Sequence, residues 1–142
     1  MGARRTARER ALQALFQLDG EPTATGPDAA LAQAWSASDD EGPADPAAQS
    51  FALEIVEGVR ARLAEIDPLL EKHSHNWRLD RMSRVDRNVL RLGAWELKFR
   101  ADIPRKVTLN EAVELGKKFG NEESSSFING LLDKIASALS KP

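Results

Sequence analysis

Large apolar residues in this chain recur at intervals of three and four, and no segment alternates apolar with polar residues for long enough to make a strand. That property points to an all-α fold. It is clearest in Ser83 to Arg100, SRVDRNVLRLGAWELKFR, where Val85, Val89, Leu92 and Leu97 gather on one side of a helix while Arg84, Arg87, Arg91 and Lys98 line another. Glu96 breaks the pattern. It falls within roughly 30° of Val85 and Val89, in a sector where an uncompensated carboxylate is costly. It is either satisfied inside a core or kept for a partner.

The remaining elements follow from punctuation and period. Thr6-Ala7-Arg8-Glu9 has the form of a capping box, and the helix it opens carries Ala11, Leu12, Leu15, Phe16 and Leu18 until Gly20 and Pro22 stop it. Pro27 starts a short helix through Leu31 to Trp35. Ser36 to Asp45, SASDDEGPAD, is acidic and lacks apolar residues large enough to pack, so it is expected to be an exposed, mobile loop. Asp45-Pro46 opens a long helix whose apolar residues run from Phe51 through Val59 to Leu63 and Ile66, and Asp67-Pro68 begins a short one. Trp77, Leu79 and Met82 form an apolar connector to the Ser83 cap. A second capping box, Thr108 to Glu111, opens a helix that Gly120 ends, and Ser124 to Ser126 start a last helix carrying Phe127, Ile128, Leu131, Leu132, Ile135 and Leu139. These helices are expected to form two packed groups within a single domain spanning residues 1–142.

At 142 residues the chain is long enough for one self-sufficient core. It contains no cysteine, hence no disulfide or thiolate chemistry, and has neither a membrane span nor a signal peptide, so a cytoplasmic location is expected. The net charge of −2 hides a strong asymmetry. Every charged residue from Asp19 to Glu57 is acidic, whereas Arg4, Arg5, Arg8 and Arg10 cluster at the start and Lys72 to Lys106 is dominated by Arg and Lys. A basic face on a mildly acidic protein is compatible with a nucleic-acid partner.

No catalytic pattern is present. There is no phosphate-cradling glycine loop, no nucleophile elbow and no carboxylate pair whose spacing demands acid/base work. His73 and His75, the only histidines, lie two apart and do not share a helical face, so no metal or cofactor site follows. The arginines near the first helix N-terminus oppose the macrodipole, which suggests an anionic partner. The Arg84, Arg87, Arg91 and Lys98 stripe has two readings, a solvated face or a second contact with an anionic partner. Phe16 and Phe127 sit in apolar periods, where an aromatic is more often core than a base-stacking platform.

RRTARERALQALFQLD and VLRLGAWELKFRADIPRKVTLNEAVELGKKFGNEESSSFINGLLDKIA together resemble the NusB family of bacterial transcription antitermination factors. The resemblance covers the first helix and roughly the last 60 residues, leaving the acidic loop unmatched. It implies two helical bundles, no enzymatic activity, and binding of boxA-type single-stranded RNA together with NusE, a small-subunit ribosomal protein. The pair would act on the transcription elongation complex and support processive transcription of ribosomal RNA operons. By position, Arg4, Arg5, Arg8, Phe16 and Phe127 match RNA-contacting residues. Glu96 matches a partner-facing glutamate and Glu123 an acidic position that affects the RNA-bound complex. Phe16 stands where many members have tyrosine, so stacking is retained and a phenol hydrogen bond is lost.

Two further expectations accompany this one. NusB-like domains also occur as accessory domains of ribosomal RNA cytosine methyltransferases, although this chain has no methyl-donor fold and no cysteine nucleophile. A self-associating adaptor is the other, since family members include monomers and homodimers whose contact covers the RNA surface.

Overall fold

The computed structural model describes residues 2–20, 26–38, 45–75 and 77–142. Among them are seven α-helices, one short 3-10 turn and no strand. The helices are α1 (Ala3–Gly20), α2 (Pro27–Ser36), α3 (Pro46–Ala61), α4 (Leu63–His73), α5 (Arg84–Phe99), α6 (Arg105–Phe119) and α7 (Ser124–Ala138), with the 3-10 turn at Leu79–Arg81. The all-α reading holds. The chain divides into two compact units, Met1–Arg60 and Ala61–Pro142. Most of the acidic loop, residues 39–44, lies outside the described residues, as do residues 21–25 with the Pro22 stop.

In the first unit α1 packs on α2, and its buried run from Ala7 to Leu12 includes Arg8, Glu9 and Arg10. The helix begins one turn earlier than the Thr6 capping box predicts. Gly2 supplies the carbonyl that accepts from the Arg5 and Thr6 amides, so Thr6 is interior to α1 and not its cap. Pro27 sits at the start of α2 as expected, and Asp45 Oδ1 accepts from the Ala47 amide at 2.8 Å to open α3. Phe51, Ile55, Val56 and Val59 are the buried stripe of α3.

The single long helix expected through Ile66 is instead two. Arg62, at φ −115° and ψ 16°, breaks it, and its carbonyl accepts from the Glu65 and Ile66 amides to start α4. Pro68 therefore lies inside α4 rather than at a helix start. One proline costs a helix one intrahelical bond, which the burial of Ile66 and Leu70 on either side offsets.

In the second unit α5 contacts α4, α6 and α7. That placement explains why the Ser83 to Arg100 stretch is more deeply buried than a two-faced helix. Asn88 through Trp95, Arg91 excepted, and then Glu96 and Leu97 are all buried. Ser83 caps α5 as the sequence predicts, accepting from the Asp86 amide at 3.0 Å. Small residues set the closest approaches. A Cβ on Gly93 would lie 2.6 Å from Leu132 Cδ1, and one on Gly116 3.0 Å from Ile128 Cδ1, so glycine lets α7 approach α5 and α6.

Two local departures have physical causes. Helix α6 begins at Arg105 behind Pro104, so Thr108 is interior, and its hydroxyl donates to Glu96 instead of capping. After α7, Ser140 adopts φ 52° and the chain returns across the bundle, where Lys141 is buried and its Nζ donates to the Arg100 carbonyl at 2.6 Å. Arg105 closes the same corner, donating Nε to the Lys141 carbonyl and its amide to the Pro142 carbonyl, both at 2.8 Å.

Candidate nucleic-acid interface

The first unit carries the N-terminal arginines. Arg4 is exposed and Arg5 half-buried, whereas Arg8 is only 3% exposed. Arg4 and Arg8 are one turn apart and share one acceptor. Their guanidinium carbons lie 4.9 and 5.4 Å from the centre of the Phe51 ring, whose negative face attracts cations. Arg10 lies over Trp35 at 5.6 Å and donates to Gln13 Oε1 at 3.0 Å. The four arginines are thus two kinds: Arg4 and Arg5 reach solvent, while Arg8 and Arg10 are built into the packing. Phe16, which its period suggested was core, is 39% exposed. It lies within about 20° of Arg5 around the helix and roughly 16 Å along it.

In the second unit Phe127 is half-buried against Trp77, ring centres 6.4 Å apart and tilted by 56°. Trp77, expected to be an apolar connector, is 54% exposed. Together with Arg81, Met82, Asp86 and Glu123 these rings line an open groove of about 270 Å³. Glu123 is exposed, and its amide donates to Asn121 Oδ1 at 2.9 Å, which places it on the turn before α7. Phe127 and Glu123 therefore line the same groove.

Glu96 is a correction. The resemblance matches Glu96 to a partner-facing glutamate, but Glu96 has no exposed area and accepts a hydrogen bond from Thr108 at 2.9 Å. Leu92 through Leu97 are all buried, so α5 has no open side at that level. It is a satisfied core carboxylate.

The basic stripe of α5 is likewise mostly structural. Arg91 forms a two-pronged pair with Asp67, Nε to Oδ1 at 2.9 Å and Nη2 to Oδ2 at 3.0 Å, and this ties α5 to α4. Lys98 faces Glu65 at 3.9 Å, and Arg87 donates to the Met82 carbonyl at 3.4 Å.

A family model for the NusB family matches residues 5–137, nearly the whole chain. The chain belongs to the NusB family. It is 68% identical over 142 residues to the transcription antitermination protein NusB of Myxococcus xanthus (strain DK1622), covering 100% of both chains. Among solved structures, T. maritima NusB superposes with a TM-score of 0.83 at 36% identity over 96% of this chain and 92% of that one. A structure of the antitermination factors NusB and NusE in complex with dsRNA gives a TM-score of 0.82 at 29% identity, over 96% and 97% of the two chains.

Helical periodicity did not mark Trp77, Arg81 and Asp86 as groove residues. A signal existed for Trp77, which belongs to no helical apolar period and is followed directly by Arg78, so nothing in the pattern demanded its burial. Asp86 was hidden because its place three residues after Ser83 is explained by capping alone.

Proposed function

We propose that this NusB-family chain is a non-enzymatic RNA-binding adaptor of transcription antitermination that pairs with NusE. The pair binds boxA-type single-stranded RNA in the cytoplasm and keeps the elongation complex processive on ribosomal RNA operons. The observation that carries the reading is the first turn of α1, which holds Arg4 and Arg5 and no acidic residue. Cations at a helix N-terminus are unfavourable against the macrodipole, and a bound phosphate relieves both the helix end and the arginines.

Within this reading Arg4 and Arg5 take phosphates, Phe16 and Phe127 offer faces for stacked bases, and Glu123 faces the protein partner. Arg8, packed on Phe51, holds the arginine turn in place and contributes to the basic potential without standing in solvent. No partner contact is assigned to Glu96.

Gel-shift titration on boxA-like RNA, single-stranded and as a duplex, with and without NusE and at two salt concentrations, tests the proposal. Tight binding of the single strand in the presence of NusE, weakening steeply with salt, is expected. No binding with NusE present would overturn it.

A further inference from the structure

Phe51 on α3 is 7% exposed, and two arginines of α1 stand against its ring, Arg4 with its guanidinium carbon 4.9 Å from the ring centre and Arg8 at 5.4 Å. Packing accounts for one of them. Arg8 is buried, so its stem and head belong to the interior of the first unit, as do those of Arg10 over Trp35.

Arg4 differs, because it is exposed at the start of a helix whose first turn holds no acidic residue. Folding alone disfavours that placement. The positive end of the helix dipole repels the guanidinium, and so does Arg8, a like charge one turn away. An uncharged side chain with a stem of similar length would cover the Phe51 ring without either cost.

What the ring supplies to Arg4 is a seat. The negative face of an aromatic ring attracts a cation, and unlike a carboxylate it restrains the guanidinium without neutralising it. A long side chain loses rotamer freedom when a ligand fixes it, and one already held in place loses less.

From these features we infer that Phe51 is a positioning residue for RNA binding, its ring pre-ordering the Arg4 guanidinium where α1 takes a phosphate of single-stranded RNA. The inference rests on the RNA-binding reading above. Phe51 acts through Arg4 and does not itself touch the RNA. Because the contact it prepares is to phosphate, its effect is the same for every RNA sequence.

The test replaces Phe51 by phenylalanine carrying one, two or three ring fluorines, which weaken the negative face in steps while leaving shape and charge nearly unaltered. The full chain with NusE is titrated with boxA-like single-stranded RNA at several salt concentrations. Affinity should fall with each fluorine, by about two- to fivefold at the third, while the slope of affinity against salt stays that of the unaltered chain. Arg4→Gln should instead lower both the affinity and the slope, the latter by about one unit, and in that background fluorination should have no further effect.

A hold by charge alone, for example from the exposed Glu54 one turn along α3, is untouched by fluorination. An affinity that stays constant through the series therefore overturns the inference and leaves the RNA-binding reading intact. A fluorine effect of equal size in the Arg4→Gln background does the same. Absence of RNA binding by the unaltered chain removes both. Phe51→Leu should match the third fluorine, and if it loses its fold by circular dichroism the fluorinated series decides alone.

Discussion

Thr108 donates its hydroxyl proton to Glu96 Oε1 at 2.9 Å, joining α6 to α5 where Glu96 has no exposed surface. Each residue resolves the other's anomaly. A carboxylate in an apolar stripe needs a donor, and a threonine with the spacing of a helix cap but an interior position needs an acceptor. The pair also fixes the register of two helices that both pack against α7.

Glu96→Ala removes the acceptor, strands the Thr108 hydroxyl and opens a cavity. A loss of about 2–4 kcal/mol is expected, seen as a lower midpoint in chemical denaturation with an unchanged slope. Glu96→Gln keeps the shape and an acceptor oxygen and should cost about 1 kcal/mol. A variant of full stability with weakened NusE binding would instead return Glu96 to a partner role.

How much was legible in the sequence follows from particular residues. Periodicity alone identified the stripes of α3, α5 and α7, because burial of one helical face is written locally. Capping boxes at Thr6 and Thr108 were misleading because a Ser/Thr with Glu three residues later is equally compatible with a helix interior when an earlier residue supplies the start, here Gly2 and Pro104. The break at Arg62 carries no sequence mark, since it depends on where Ile66 and Leu70 must point to be buried. Exposure of Phe16 was invisible for the same reason: an apolar residue announces that it can be buried, and only tertiary packing decides whether it is.

Arg91 and Asp67 form a tertiary pair with side chains 13% and 26% exposed. Removing one partner leaves a largely desolvated charge, so Arg91→Ala should cost about 1–3 kcal/mol. Lysine cannot reproduce the two-pronged geometry, and Arg91→Lys should recover less than half of that. A double-mutant cycle with Asp67→Ala should return a coupling of about 1 kcal/mol, separating the pair from the helix propensity of each substitution.

Two glycines should respond in opposite directions. A Cβ on Gly130 meets nothing within 4 Å, and the residue sits exposed in the interior of α7, so Gly130→Ala should stabilise by about 0.5–1 kcal/mol through helix propensity. On Gly93 the same methyl would lie 2.6 Å from Leu132 Cδ1, and Leu132 is fully buried. Overpacking of about 1–3 kcal/mol then outweighs the propensity gain, and Gly93→Val should be worse still. Paired thermal melts of the single variants check the contrast: a rise of a few degrees for Gly130→Ala and a fall for Gly93→Val.

The N-terminal arginines separate RNA affinity from stability. Arg5 is half-buried at the helix start, and Arg5→Glu should weaken RNA binding for every sequence and flatten the salt dependence by about one unit of slope, with the melting temperature nearly unchanged. Arg8 is 3% exposed with its guanidinium 5.4 Å from the Phe51 ring, so Arg8→Ala removes packing as well as charge and should cost about 1–3 kcal/mol of stability. Phe51→Leu provides the control, since it keeps an apolar side chain but deletes the quadrupole that attracts Arg4 and Arg8. If Arg8 acts on RNA through that stack, Phe51→Leu should weaken RNA binding without any change of charge. Unchanged binding together with reduced stability would confine the stack to folding and leave Arg4 and Arg5 as the phosphate contacts.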